Sequence, residues 1–329
     1  MRILHVETIN QVGHTYAPGL ERRGHSSRFF EPSLRGGTAP MPLKLAYMPG
    51  RMLHMSRGIT LESKTHCDVT HIHWASYGVL GLASRVPYVV HCHGLDVHYR
   101  AQHPLFRAIL TPIFRRAAAV LVITPDLLPA ARSIRSDAMF VPAAIDTERF
   151  TPCLSASARP WTIFLFARLD PHKGAPTAVI ALERFKARHP DARVLLIDYG
   201  PLSAEYQRRF AGRFEFAPKM PPNRVRELIW QADVVVGQFF LGALGLSELQ
   251  AMSCAKPVIV NYRYPDAYPT PPPVLDAQTP EEIEAHLERL YHDRAAAQAL
   301  GERARGWVLA YHHVDVLAER LEAIYKGAV

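Results

Sequence analysis

Cysteine is scarce in this chain of 329 residues: Cys67, Cys92, Cys153 and Cys254 stand apart, with no CxxC spacing among them. That excludes a zinc ribbon and a disulfide framework and leaves four small thiols. Long apolar runs are absent too. No stretch reaches the roughly 20 residues a membrane span needs, and Met1 leads straight into a strand-like segment, RILHV, so a cytoplasmic protein is expected. The turn after that segment lacks GxGxxG, which removes the dinucleotide fingerprint. No basic tract is interleaved with aromatics, so nucleic acid is not expected as a partner.

What the chain does have is apolar mass and an uneven charge. With 48% hydrophobic residues it is long enough for two core-bearing domains. The formal net charge is +8, and residues 1–150 carry 17 Lys and Arg against 10 Asp and Glu, whereas residues 151–329 carry 21 against 20. A cationic first half favours an anionic acceptor or a lipid surface. Within it, residues 33–60 mix Lys44, Arg51 and Arg57 with Leu43, Leu45, Met48, Met52, Leu53 and Met55. Such a stretch suits peripheral membrane contact or, interrupted by Pro42 and Pro49, a loop and short helix capping a core.

Short apolar strand patterns alternate with helical ones through both halves, the signature of an α/β chain with parallel sheets. The small, polar, proline-ended stretch CLSASARP, 153–160, reads as a linker. It divides the chain into a first domain, 1–152, and a second, 153–306, followed by a terminal helical segment, 307–329. The last helical pattern, 294–325, is too long for one helix and is expected to break near Gly306 or His312-His313.

The most informative stretch is FARLDPHKG, 166–174. An apolar strand, WTIFLF from Trp161, ends there, and Arg168, Lys173 and Gly174 lead into a helical pattern. Two unpaired cations at a strand-to-helix turn, at the carboxyl end of a sheet strand, call for an anion such as phosphate. A second device follows in QFFLGALGLSELQAMSCAKPVIV, 238–260, where a loop from Gly242 to Gly245 feeds a helix whose N-terminal amides and dipole also favour an anion. Two first-half strands end in histidines: period-two spacing puts His71 with His73, and His91 with His93, on shared faces. No acidic or thiolate ligand has matching spacing, so these are read as polar residues at a cleft and no metal is expected. Gly94 lets the chain turn sharply and point His93 into that cleft.

ARLDPHKG, DYGP, GLSELQAMSCAKPVIV, VVHCHGLDV and VPAAIDTERFTP, in this order and spacing, resemble glycosyltransferase family 4 over nearly the whole chain. The resemblance implies the GT-B fold, two Rossmann-like domains facing across a cleft, with the donor held by the second and the acceptor by the first. It also implies that the last helix packs back on the first domain. The activity implied is transfer of a sugar from a nucleoside-diphosphate sugar with retention of configuration and without metal or other cofactor. The implied acceptor is a glycan or lipid-linked hydroxyl. Arg168 and Lys173 match the family's diphosphate-binding cations, and His93 the histidine near the transferred sugar. Leu244, Gly245 and Leu246 match the loop whose amides approach sugar and phosphate. Gly13 stands where the family usually has a glycine pair.

The chain also departs from that family's pattern. Two glutamates usual in the loop and helix are replaced by Gly242 and Gln250. The Gln250 amide oxygen can accept ribose hydrogen bonds without the charge, and Glu248 is a candidate for part of the lost carboxylate function. These replacements keep two further readings open, a non-catalytic relative that binds a glycan or partner and a nucleotide-sugar epimerase.

Overall fold

The structure is a computed structural model that describes residues 1–6, 12–31, 41–98, 103–153 and 159–329, without the side chains of 41–48 and 95–96. The chain divides into two compact units, Met1–Ala144 with Val314–Val329, and Ile145–His313. These divisions differ from the bounds read from the sequence, 152/153 and 306/307. Ile145 and Phe150 are already buried in the second unit's core, and the Ile145 amide donates to the His312 carbonyl at 2.8 Å. The long C-terminal helical pattern breaks at His313, which is extended (φ −61°, ψ 142°).

In unit 1 the strands are β1 (Arg2–Val6), β2 (Ser26–Phe30), β3 (Val69–His73), β4 (Tyr88–Cys92), β5 (Ala119–Val122) and β6 (Met139–Phe140). They pair in parallel in the order β2-β1-β3-β4-β5-β6. Alternation along the strands sends Ile3, Val69 and Val89 to one face, under helices α1 (Val12–Arg22) and α12 (Val314–Ala328). Leu4, Val6, Ile72 and Val90 go to the other, under α2 (Met41–His66), the 3₁₀ segment Ala75–Ala83 and α4 (Pro104–Arg116). Short helices α3 (Leu95–His98) and α5 (Leu128–Arg132) complete the unit. Gly19 lets α1 and α12 approach, because a Cβ there would stand 2.6 Å from the Val314 carbonyl oxygen.

Helix α2 corrects the expected loop and short helix. Pro42 lies in its first turn, where a missing amide costs nothing, and Pro49 removes one bond that the packing of Met55, Ile59 and Met52 outweighs. Residues 33–40 of the basic, methionine-rich stretch lie outside the described residues.

Unit 2 repeats the architecture with β7 (Thr162–Leu165), β8 (Arg193–Asp198), β9 (Glu215–Pro218), β10 (Val234–Val236), β11 (Val258–Val260) and β12 (Leu275–Asp276). The order is β12-β11-β10-β7-β8-β9, every pair parallel. Helices α6 (Ala175–Arg188), α7 (Ser203–Arg209) and α10 (Pro280–His292) pack on one face, and α8 (Pro222–Gln231), α9 (Leu246–Ser253) and α11 (Arg294–His312) on the other. The chain runs outward from β7 through β9, then restarts at β10 on β7's other side. The crevice at the carboxyl ends of β7 and β10 is therefore the topological switch point, where doubly wound sheets bind ligands.

Candidate active site

Both stretches expected to bind an anion flank that switch point. After β7, Ala167 and Leu169 are buried and Leu169 exchanges backbone hydrogen bonds with Tyr199 (2.8 Å) and Leu202 (3.0 Å), which turns Arg168 outward between them. Asp170 then caps the 3₁₀ turn Pro171–Lys173, accepting from the His172 amide at 2.8 Å. Gly174 ends the turn in the left-handed region (φ 69°), and a Cβ there would lie 2.7 Å from the Phe239 Cβ. No other residue fits that position without moving the loop after β10. The Phe239 amide donates to the Lys173 carbonyl at 2.9 Å, so the two loops are fastened together at the cation itself.

The loop after β10 is held from inside by two buried polar side chains. Glu248, 2% exposed, accepts from the amides of Gln238 and Gly245 at 2.9 Å each. Gly237 makes room for it, since a Cβ there would stand 2.5 Å from Oε1. Burial pushes the Glu248 pKa up, against its own amide, the Lys173 charge and the two bound amides. The Gln238 side chain donates to the Ala243 carbonyl and accepts from the Phe240 and Leu241 amides. Asn261 adds a bond to the Phe239 carbonyl at 3.3 Å and accepts from Arg263 Nε at 3.1 Å. Sequence reading missed Gln238, Asn261 and Arg263; the buried amides at 238 and 261, each just past a β-strand, were the available signal.

The expected donor residues divide accordingly. Arg168 is not an unpaired cation: its Nη2 pairs with Asp170, whose burial opposes ionisation but is outweighed by the His172 amide and the Arg168 charge, so its carboxyl titrates below the usual range. Lys173, half-buried, makes no ion pair or hydrogen bond through its ammonium among the described residues. Gly245 and Leu246 open α9, and its first amides have no intrahelical acceptor. Leu244 is buried in the core behind that loop and offers only its backbone. Glu248 cannot stand in for the missing carboxylates, because both its oxygens are occupied by the loop. Gln250 is half-buried, with its side-chain amide in no hydrogen bond among the described residues. Gly242 is left-handed (φ 72°) beneath Arg263, whose Cδ lies 3.0 Å from where a Cβ would be.

In unit 1 the corresponding switch point lies between β1 and β3. Gly13 falls in the first turn of α1, within the helix rather than in a turn before it, and the preceding residues 7–11 lie outside the described ones. His93 follows β4, with its Nε2 3.3 Å from His73 Nδ1, and stacks on Trp74 at 5.6 Å. Burial, then the neighbouring His91, holds His93 well below the usual imidazole pKa and so neutral. Trp74 has φ 84°, a strained backbone for a bulky residue and a mark of a site.

Comparison with known proteins fits this geometry. Two family models match, Glycosyltransferase Family 4 over residues 9–149 and Glycosyl transferases group 1 over residues 151–307. The GDP-mannose-dependent alpha-(1-6)-phosphatidylinositol monomannoside mannosyltransferase of Mycobacterium tuberculosis is 25% identical over 274 residues, 74% of this chain and 70% of that one. The corresponding monoacylated-substrate enzyme of Corynebacterium glutamicum is 24% identical, and a D-inositol 3-phosphate glycosyltransferase of Acidothermus cellulolyticus 32%. The chain spans only 55% and 32% of the length of those two. A sucrose-phosphate synthase of Thermosynechococcus elongatus superposes with TM-score 0.77 at 15% identity, covering 99% of this chain and 98% of that one. HepE of Anabaena, solved in complex with UDP and glucose, superposes with TM-score 0.74 at 13% identity, covering 99% of both chains. The chain belongs to glycosyltransferase family 4 and has the two parallel sheets of the GT-B fold.

Proposed function

We propose that this protein transfers a hexose, with retention of configuration and without a metal at the diphosphate, from a nucleoside-diphosphate hexose to the hydroxyl of a lipid-linked or anionic acceptor. The observation that carries this reading is the fastened pair of loops at the β7–β10 switch point, which presents Lys173, Arg168 and the open amides of α9 on one crevice. The carboxylates of these loops are committed, Asp170 to Arg168 and Glu248 to two amides, so the crevice suits an anion and offers a divalent cation little. As the bond from C1 to the diphosphate breaks, its electron pair passes to the phosphate oxygen, and the two cations and the helix dipole stabilise the growing charge. The acceptor oxygen bonds to C1 from the same face and its proton goes to the departing phosphate. The relatives' use of GDP-mannose makes that donor the first to test. A binding-only role is the second reading, favoured by Gly242 and Gln250.

A thermal-shift and calorimetry panel of nucleoside diphosphates and their sugars tests the donor. One base should raise the apparent stability by about 2.7 kcal/mol at a hundredfold excess over Kd. Transfer should need no added Mg²⁺ or Mn²⁺, and nuclear magnetic resonance of the product should show the donor's anomeric configuration. If no nucleoside diphosphate binds, or if Arg168→Ala binds as well as the parent, the reading fails. Donor binding with neither transfer nor slow donor hydrolysis would select the binding-only role.

No helix among the described residues is long and apolar enough to cross a membrane. For the acceptor we expect a surface contact instead. Helix α2 exposes Leu53 (54%) and Leu61 (64%) beside Arg57 and Lys64, and α4 exposes Leu105 (62%) and Ile109 (48%) beside Arg107. Vesicles rich in anionic lipid should co-sediment with the protein at low salt and release it as salt screens the charges. Failure to co-sediment with anionic vesicles at low salt would remove the membrane from the proposal.

A further inference from the structure

A cluster of histidines lies on the face of the unit 1 sheet that also carries Ile3, Val69 and Val89. His5 on β1 and His71 on β3 are register partners, and His73 lies two residues along on the same face. One ring nitrogen from each of the three lies within 4.8 Å of the other two. The His5 Nδ1 and His73 Nε2 atoms are 3.2 Å apart. Nitrogens held about 2.0–2.1 Å from a tetrahedral zinc ion stand roughly 3.3–3.4 Å from each other, so this pair already has the spacing of two ligands.

The surroundings fit a ligand set. All three rings are fully buried, and His5 Nε2 and His71 Nε2 have no hydrogen-bond partner. Burial and neighbouring histidines keep all three in the neutral, ligating form. His71 Nδ1 meets the Tyr325 hydroxyl at 2.5 Å, the outer hydrogen bond that orients a ligating imidazole and leaves its Nε2 on offer. Read from the sequence, the four histidines had no acidic or thiolate ligand at matching spacing and a metal was set aside; the fold instead adds a further imidazole, His5, far away in sequence.

We propose that His5, His71 and His73 form a buried site for a late first-row transition cation, zinc foremost, that fastens β1 to β3. Three neutral nitrogens suit such ions, and a fourth position is left for water. All three residues belong to unit 1, whereas the loops proposed to hold the diphosphate belong to unit 2.

The test uses tag-free, full-length protein, both as purified from zinc-supplemented culture and after unfolding in chelator and refolding with Zn²⁺ or Co²⁺. Elemental analysis should find about one ion per chain, the melting temperature should rise with the ion, and Co²⁺ should give visible bands of four-coordinate cobalt. His5→Phe and His71→Phe, which keep a ring in the stack, should each lower the ion content about tenfold, while His189→Gln in unit 2 should not. Parent protein holding less than about a tenth of an ion per chain by both routes, with an unchanged melting temperature, overturns the proposal and leaves a chain of imidazoles linked N–H···N.

Discussion

Lys173→Ala is expected to lower kcat for sugar transfer by about 10²–10³-fold, the size of effect seen when one preorganised charge-stabilising donor is removed from a transition state (about 2.7–4 kcal/mol). Lys173 is half-buried and its ammonium is free among the described residues, so the variant should fold and melt like the parent. The loss should appear mainly in kcat, because the leaving diphosphate carries more charge than the bound donor. Arg168→Ala should be at least as damaging, since it also leaves the buried Asp170 carboxylate unpaired beside the departing anion. Asp170→Asn supplies the contrast: it frees Arg168 but loses the residue that holds its guanidinium, and should cost activity without removing a cation. Steady-state kinetics at saturating donor decide the matter; a Lys173→Ala kcat within a few-fold of the parent would remove the cation from the transition state.

Glu248→Ala is expected to lower the stability of unit 2 by about 2–3 kcal/mol. The amides of Gln238 and Gly245 would each lose a partner, at about 1–3 kcal/mol apiece, while relief from burying a carboxylate offsets part of that. For a unit of this size the melting temperature should fall by roughly 5–10 °C. Donor affinity should fall with it, because the loop that Glu248 closes carries the helix N-terminus facing the anion. Glu248→Gln keeps the shape and one acceptor and should give about half the stability loss. If Glu248 touched the donor directly, Gln would instead preserve stability and lose binding. Calorimetric melting of the three proteins separates these outcomes.

Much of this was legible in the residues. Alternating apolar strands, prolines opening helices and glycines closing them gave both sheets, and Arg168, Lys173 and Gly174 lie where an apolar strand stops before a helix. What the sequence hides is pairing at a distance or across a turn. Asp170 sits only two residues from Arg168, yet nothing in FARLDPHKG says that it folds back on the guanidinium rather than toward solvent. Glu248 read as a candidate for part of the lost carboxylate function because helical periodicity does not say which loop its oxygens hold. His5 looked like one polar residue in a strand until the register placed it beside His71, 66 residues away. Met41–His66 ran through Pro49 because packing outweighed a local rule.

The return of α12 to unit 1 has a consequence for how the protein is made. Tyr325 is fully buried and meets His71 through its hydroxyl, and Val314, Leu317 and Leu321 fill the core beside α1. Everything unit 2 needs, Ile145–His313, leaves the ribosome before that helix does. Although domains usually mature in order of synthesis, here the second unit is complete first. The first must wait, its sheet face covered there by α1 alone, until α12 has been translated, which makes the nascent chain most dependent on chaperones in the interval between the two units.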